Sequence, residues 1–380
     1  MKLPVSEIFE FVRNGLSVRQ KLDSGGLPIT RIETIADATI NLKRVGYAGI
    51  SSADAKQYLL QDGDILFSHI NSLSHLGKCT IYNKELGPLV HGMNLICFRV
   101  KSEKLLPKFA LYLIRSNHFK SQLAKSIKKS VNQASVSTSD IKKIILNFPP
   151  LAEQKRIAAL LDTADRILRL RESAIAKLDE LEQSMFVEMF GDLINNPNKW
   201  PVKKIGNFIE IVMGKAPHSD QCNKEGKGVV FVKAGEFGID SPIIREWTID
   251  PLKMAKANDI LICVVGATAG KINRSRFECA IGRSVASVRS TSIELNQDYL
   301  HSFLKTKILE LRNRSQGAAQ AVITREMLRD IEIPLPPIAK QIEFVSFLKE
   351  LRNEQNMFSI SSKKMSQLQM SLQYQSFAVN

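Results

Sequence analysis

Residues 147–161 read NFPPLAEQKRIAALL, and residues 334–348 read PLPPIAKQIEFVSFL. Pro149 aligns with Pro336 (336 − 149 = 187). At the same offset Pro150 meets Pro337, Ala152 meets Ala339, Gln154 meets Gln341 and Leu161 meets Leu348. Further upstream, Gln133-Ala134 meets Gln320-Ala321 and Ile144 meets Ile331. Two proline-anchored helix starts, each closing about half of the chain, mark a tandem duplication. Each Pro-Pro pair stops the preceding segment and sets an extended entry, so the first helix is expected to begin near Leu151 and Ala152.

From that start, apolar residues recur at coiled-coil spacing: Ile157, Leu161, Ala164, Leu168, Ile175, Leu178 and Met185. Leu160, Ile167, Ala174 and Leu181 broaden the stripe. No proline or glycine interrupts before Gly191, which suits the residue just past a helix end. Nearly forty residues at 1.5 Å rise make a rod of roughly 55–60 Å. Such a rod needs a partner stripe. Phe344, Leu348, Leu351, Phe358, Met365 and Leu372 supply one in the C-terminal segment. The expectation is an antiparallel two-helix coiled coil rather than two ordinary core helices.

The segments before each helix share a second set of signals. In the first, turn residues alternate with short β-type runs at 27–32, 65–67, 79–82 and 94–100, and a helix is expected over 105–128. In the second, Gly214 corresponds to Gly15, Asp259-Ile260-Leu261 to Asp64-Ile65-Leu66, and Gly270-Lys271 to Gly77-Lys78. A helix follows at 299–311. The fold class is therefore α+β: two similar domains at 1–148 and 192–335, separated by the helices at 149–191 and 336–380, in a pseudo-twofold tandem duplication.

The chain carries 53 Lys and Arg against 38 Asp and Glu, a net charge of +15. That surplus favours a polyanionic partner, nucleic acid ahead of an acidic membrane surface. Five scattered cysteines without a C-x-x-C motif read as reduced thiols, and the first residues lack a signal-peptide profile, so a cytoplasmic location is expected. Motifs of catalysis are missing. Asn147-Phe148-Pro149-Pro150 resembles an amino-methyltransferase motif with the aromatic in the wrong place. Residues 266–271 (GATAGK) resemble a phosphate loop that is one residue short, and Ile272 stands where a Ser or Thr would bind magnesium. No histidine or cysteine pattern has zinc spacing. The chain reads as a non-enzyme without metal or cofactor of its own.

Basic features recur in both halves. Arg13 and Arg19 flank Gly15. Lys78 and Lys271 occupy the Gly-Lys turns. Lys125, Lys128 and Lys129 precede Asn132 and Gln133, and Arg312 and Arg314 precede Gln316 and Gln320. Lys and Arg supply backbone affinity for DNA, while Gln and Asn can pair with adenine in the major groove. The polar segments 128–136 and 314–323 are expected to be loops that touch bases. Asn71, His75, Lys215, His218, Thr268 and Thr324 complete the candidate interface.

In sum of motif order, the sequence resembles the specificity subunits of type I restriction-modification systems over its whole length. The resemblance rests on Pro-Pro-Leu-Ala-Glu-Gln at 149–154 and its weaker copy at 336–341. It rests also on Met-Phe-Gly-Asp at 189–192 followed by Trp-Pro-Val at 200–202, and on the duplicated Asp-Ile-Leu and Gly-Lys elements. It implies two target-recognition domains, each reading half of a bipartite double-stranded DNA site, with the helix pair setting the spacing. It further implies docking of two modification subunits that bind S-adenosylmethionine and methylate adenine, with a restriction subunit joining for cleavage. Glu153, Gln154, Arg156, Lys340 and Gln341 are the docking candidates. The second helix start departs from the first, with Lys340 in place of Glu153 and Glu343 in place of Arg156. A free-standing DNA-binding regulator, a fused enzyme and a pure scaffold are the rival readings.

Overall fold

The structure, a computed structural model, describes residues 1–380 apart from 22–24, 131–132, 192–195, 239, 315–321 and 378–380; of residues 309–314 it describes the backbone alone. It divides into two compact units, Met1–Glu172 with Ser359–Asn380, and Ser173–Phe358.

The first unit contains strands β1 (Phe9–Asn14), β2 (Ile65–Phe67), β3 (Ile70–Asn71), β4 (Cys79–Ile81) and β5 (Ile96–Val100). Helices α1 (Pro107–Arg115) and α2 (Asn117–Ala124), strands β6 (Lys128–Ser130) and β7 (Gln133–Ser135) and the long helix α3 (Leu151–Phe190) follow. An antiparallel sheet has the order β1-β5-β2-β4. Its apolar face, with Phe9, Phe67 and Phe98 in edge contacts, packs on Phe109, Leu113 and Ile114 of α1. The single helix expected over 105–128 is instead two. Ser116 leaves helical geometry at ψ 154° and its hydroxyl accepts from Phe119 N, which caps α2. The segment beyond α2 turns into strands β6 and β7, which join β3 in a second antiparallel sheet.

In the second unit, β8 (Ile209–Met213), β9 (Ile260–Cys263), β10 (Ile272–Arg274) and β11 (Val285–Ser290) form an antiparallel sheet of order β8-β11-β9-β10, the same topology. Helix α4 (Gln297–Arg314) covers it, and α5 (Ile338–Phe377) ends the chain. A five-stranded sheet around Val229–Val232 and Cys279–Ile281 is added at its side.

Each sheet is clamped by the same buried ion pair. Asp64, 1% exposed, accepts two hydrogen bonds from Arg99 at 2.6 and 2.8 Å and one from Gln61 N. Asp259, 0% exposed, accepts two from Arg289 at 2.6 and 2.8 Å, one from Lys256 N and one from Ser287. A buried carboxylate is tolerated only when paired and fully hydrogen-bonded, and both are. Gly77 and Gly270, at φ +82° and +86°, close equivalent hairpins, their N–H groups donating to Ser68 O and Cys263 O. The left-handed backbone there is the reason both positions are glycine.

The long helices are built into the units. The start of α3 and the end of α5 belong to the first core through Ile157, Leu161 and Phe377. The end of α3 and the start of α5 belong to the second through Phe186, Phe190, Phe344 and Leu348. Pairing runs antiparallel within each unit. Gln369 donates to Asp165 and Arg171 to the Ser361 carbonyl in the first, and Gln355 donates to Asp179 at 2.9 Å in the second. Gly191 follows α3 at φ +81°, as its sequence position predicts.

Candidate nucleic-acid interface

Register places most of the candidates at one end of each sheet. In the first unit Asn14, Ile96, Phe67 and Cys79 lie opposite one another across the four strands. The segment after β1, the turn before β4 and strand β3 therefore leave from the same end. They carry Arg19, Asn71, His75 and Lys78. In the second unit Met213, Ala286, Ile262 and Ile272 form the equivalent row, so Lys215 and His218 after β8 and Thr268 and Lys271 before β10 leave from one end.

The sheet β3-β7-β6 gathers Asn71, Lys128, Lys129 and Gln133. Asn71 lies opposite Ala134, which lies opposite Lys129, so the three share a face; Ser130 lies opposite Gln133. Lys128, Lys129, Ser130 and Gln133 are exposed. The expected loop is thus a two-stranded ribbon, held by Ala134 and Val136, 2% and 3% exposed, beneath it. In the second unit Ile323 N donates to Val264 O as Val136 N does to His69 O, so the frame of that contact is duplicated. Asn132, Gln316 and Gln320 lie outside the described residues, and Arg314 is described only as the end of α4.

Several candidates are corrected. Arg13 turns inward. Its guanidinium lies 4.3 Å from the Phe11 ring centre and donates to Gln57 O at 2.5 Å, so it is not a free phosphate ligand. Lys78 is half-buried and donates to Ala36 O at 2.5 Å, whereas Lys271 is exposed and its ammonium has no hydrogen bond or ion pair among the described residues. The two Gly-Lys turns share a backbone and differ at the charge. Thr324 is exposed but its hydroxyl caps the helix Arg325–Arg329 by accepting from Met327 N.

Gln154 and Gln341 cannot be docking residues. Both are 0% exposed, and each side-chain amide is consumed by backbone groups of its own unit. By contrast Arg156 is exposed and Glu153 half-buried, the two paired bidentately at 2.7 and 2.8 Å, and Lys340 and Glu343 form the corresponding exposed pair at 3.8 Å. The polarity of the pair is reversed between the two helix starts.

Sequence reasoning missed Asn14 and His69. The Asn14 amide donates to Met93 O and contacts His69 Nε2 at 2.9 Å, fixing the residue that leads into β3. Burial lowers the His69 pKa to about 4, so its imidazole is neutral near pH 7. Val264, 1% exposed, stands at the corresponding place in the second unit; Cys263 before it, the counterpart of Ser68, is buried, and its thiol is pushed up to about 11 by that burial. The Arg partners of Asp64 and Asp259 were also missed, because they lie 35 and 30 residues downstream. Among the described residues no cluster of His, Cys, Asp and Glu could hold a metal, and no helix is long and apolar enough to cross a membrane.

A duplicated α+β unit with a basic, polar end on each sheet defines a chain with two copies of one recognition domain. The profile of the type I restriction modification DNA specificity domain matches it twice, at residues 1–182 and 197–365. The chain therefore belongs to the family of type I restriction-modification specificity subunits. It is 36% identical over 392 residues to the type I restriction enzyme MjaX specificity subunit assigned in Methanocaldococcus jannaschii, covering 96% of this chain and 91% of that one. It is 28% identical over 195 residues to the EcoKI specificity subunit of Escherichia coli K12, covering 50% of this chain and 42% of that one. The fold is shared with the type I restriction-modification S subunit from M. genitalium, at a TM-score of 0.62 and 14% identity over 100% of this chain and 96% of that chain. A chain from a structure of type I system assembly aligns at a TM-score of 0.57 and 23% identity over 99% and 97%. The subunit thus recognises DNA sequence and is not itself catalytic.

Proposed function

We propose that this subunit reads a bipartite double-stranded DNA target, one half-site per unit, and presents it to two copies of a modification subunit docked on the helix pair. The basic and polar end of each duplicated sheet carries this reading. Exposed lysines there supply sequence-independent attraction, and Asn71 and Gln133 supply base-edge hydrogen bonds. Lys215, His218 and Lys271 are the corresponding surface of the second unit. Glu153 with Arg156, and Lys340 with Glu343, are the polar contacts offered to the modification subunits. S-adenosylmethionine and the adenine-methylating chemistry belong to those partners, and a restriction subunit adds cleavage. The setting is the cytoplasm, where five thiols, none paired, remain reduced.

Methylome sequencing of a host that carries the subunit with its partner tests the reading. Two short defined half-sites separated by a fixed number of unspecified base pairs are expected. A single contiguous motif, or no methylation alongside tight DNA binding by the subunit alone, would favour a free-standing regulator.

A further inference from the structure

The two buried glutamines form the same device twice. Gln154 Oε1 accepts from Leu106 N at 3.0 Å, and its Nε2 donates to Lys104 O and Pro149 O at 2.9 Å each. Gln341 Oε1 accepts from Asn296 N at 2.8 Å, and its Nε2 donates to Glu294 O at 2.9 Å and Pro336 O at 2.8 Å. Each glutamine sits in the first turn of a long helix. Each holds three backbone groups, one in the proline entry of its own helix and two in the segment that follows the central strand β5 or β11. No other residue type offers one acceptor and two donors in a neutral planar group of that length.

The placement of that segment gives the device a mechanical meaning. Strand β5 runs from Ile96, in the row that faces the candidate interface, to Val100 and then to residues 104–106. Strand β11 runs likewise from Val285 to Ser290 and then to residues 294–296, with Gln297 Oε1 accepting from Ser290 N. One end of the strand carries the recognition surface and the other is tied to the long helix. A five-residue strand spans about 17 Å. A tilt of about 10° at the tie moves a point roughly 20 Å away by roughly 3.5 Å, one base-pair step.

We infer that Gln154 and Gln341 are positioning residues that fix the angle of each recognition unit on its helix and so enforce a single spacer length between the half-sites. They touch neither DNA nor partner. This inference rests on the bipartite reading above.

The test uses the subunit assembled with its modification partner and a set of duplexes carrying both half-sites at graded spacings. The wild-type complex is expected to methylate one spacing. Gln154→Met keeps the size of the side chain and removes its three hydrogen bonds. It should leave the half-site bases unchanged and admit spacings one base pair longer and shorter, with discrimination falling about tenfold or more. Amide exchange at Leu106 should accelerate while that of β5 stays slow. Gln341→Met should do the same at Asn296. Leu328→Ala, a core cavity in the helix Arg325–Arg329, gives a comparable loss of stability away from the tie. Gln154→Asn, which keeps the neutral amide and withdraws it by one methylene from the three backbone groups, replaces the methionine variant if that one does not fold.

Retained discrimination in the glutamine variants overturns the inference. So does equal relaxation by Leu328→Ala, or unchanged exchange at Leu106. Failure of the wild-type complex to methylate any bipartite site would instead overturn the functional reading, while the exchange measurement would still report on the tie.

Discussion

Lys271 and Lys78 occupy the same turn of the duplicated hairpin, yet removing them should have different consequences. The Lys271 ammonium is exposed and has no partner among the described residues, so it is available to a phosphate. Lys78 spends its charge on the Ala36 carbonyl. Each phosphate neutralised by a cation contributes about 0.9 to the slope of log affinity against log salt. Raising salt fourfold therefore weakens the contribution of one such contact by about 3.5-fold. Lys271→Ala should flatten the slope by about one unit and weaken binding to cognate and scrambled duplexes alike. Lys78→Ala should leave the slope within error and lower stability by about 1.5–3 kcal/mol, the scale of one charged hydrogen bond.

Fluorescence anisotropy of the assembled complex on labelled duplex, at four or more salt concentrations, reads the slope. Thermal unfolding of the same preparations reads the stability. Equal flattening by both substitutions would show that Lys78 leaves Ala36 to reach DNA. A changed base preference with an unaltered slope for Lys271→Ala would move that residue from the phosphate to a base edge.

Asp259→Ala should destabilise the second unit by about 3–5 kcal/mol because it leaves Ser287 Oγ and Lys256 N without their acceptor and the half-buried Arg289 with Glu210 alone, and Asp64→Ala should do the same to the first by freeing Arg99 and Gln61 N; denaturant unfolding followed by unit-specific hydrogen exchange checks both. Replacing Glu153 by Lys together with Arg156 by Glu restores the polarity of the second helix start on the first. Both side chains reach solvent and the exchanged charges still pair, so the melting temperature should change little, whereas the occupancy of modification subunits at that surface, read by native mass spectrometry, should change. Burial lowers the pKa of His69 and His91 to about 4 and that of His301 to about 3, below the unfolded value of 6.5. The unfolded chain thus binds more protons between those limits, so the melting temperature should be flat above pH 6.5 and fall as pH drops towards 4. His301→Gln should shallow that fall.

Much of this architecture was legible in the sequence because duplication multiplies weak signals. A single Asp-Ile-Leu or Gly-Lys means little, but two of each in the same order revealed the paired sheets. The helix start at Leu151 and the glycine at 191 followed from proline and left-handed geometry, which are local. What stayed hidden depended on distant partners. Nothing near Asp64 announces Arg99, and nothing near Lys78 announces Ala36. The split at Ser116 was missed because the apolar period continues through it, while a hydroxyl cap decides the backbone. The ribbon at 128–135 carries no strand signal in the sequence, because its strands are three residues each and its exposed face is entirely polar, so alternation has no apolar half to show.

Comparison of the two repeats sorts residues by physical necessity. Positions that coincide, Gln154 with Gln341, Asp64 with Asp259 and Gly77 with Gly270, satisfy buried backbone groups or a left-handed turn. At those places any other residue leaves a polar group unpaired or a backbone strained. Core positions also diverge, as Ser68 with Cys263 and His69 with Val264, but there the change is one of packing; at the surface it is one of charge. Glu153 with Arg156 becomes Lys340 with Glu343, and the tied Lys78 becomes the free Lys271. Solvent places no constraint on which sign occupies such a surface, so only a bound partner can. On the proposed bipartite reading, the residues that would distinguish one half-site from the other, and one docking surface from the other, therefore belong among the exposed differences. The buried identities hold those differences at a fixed angle and height.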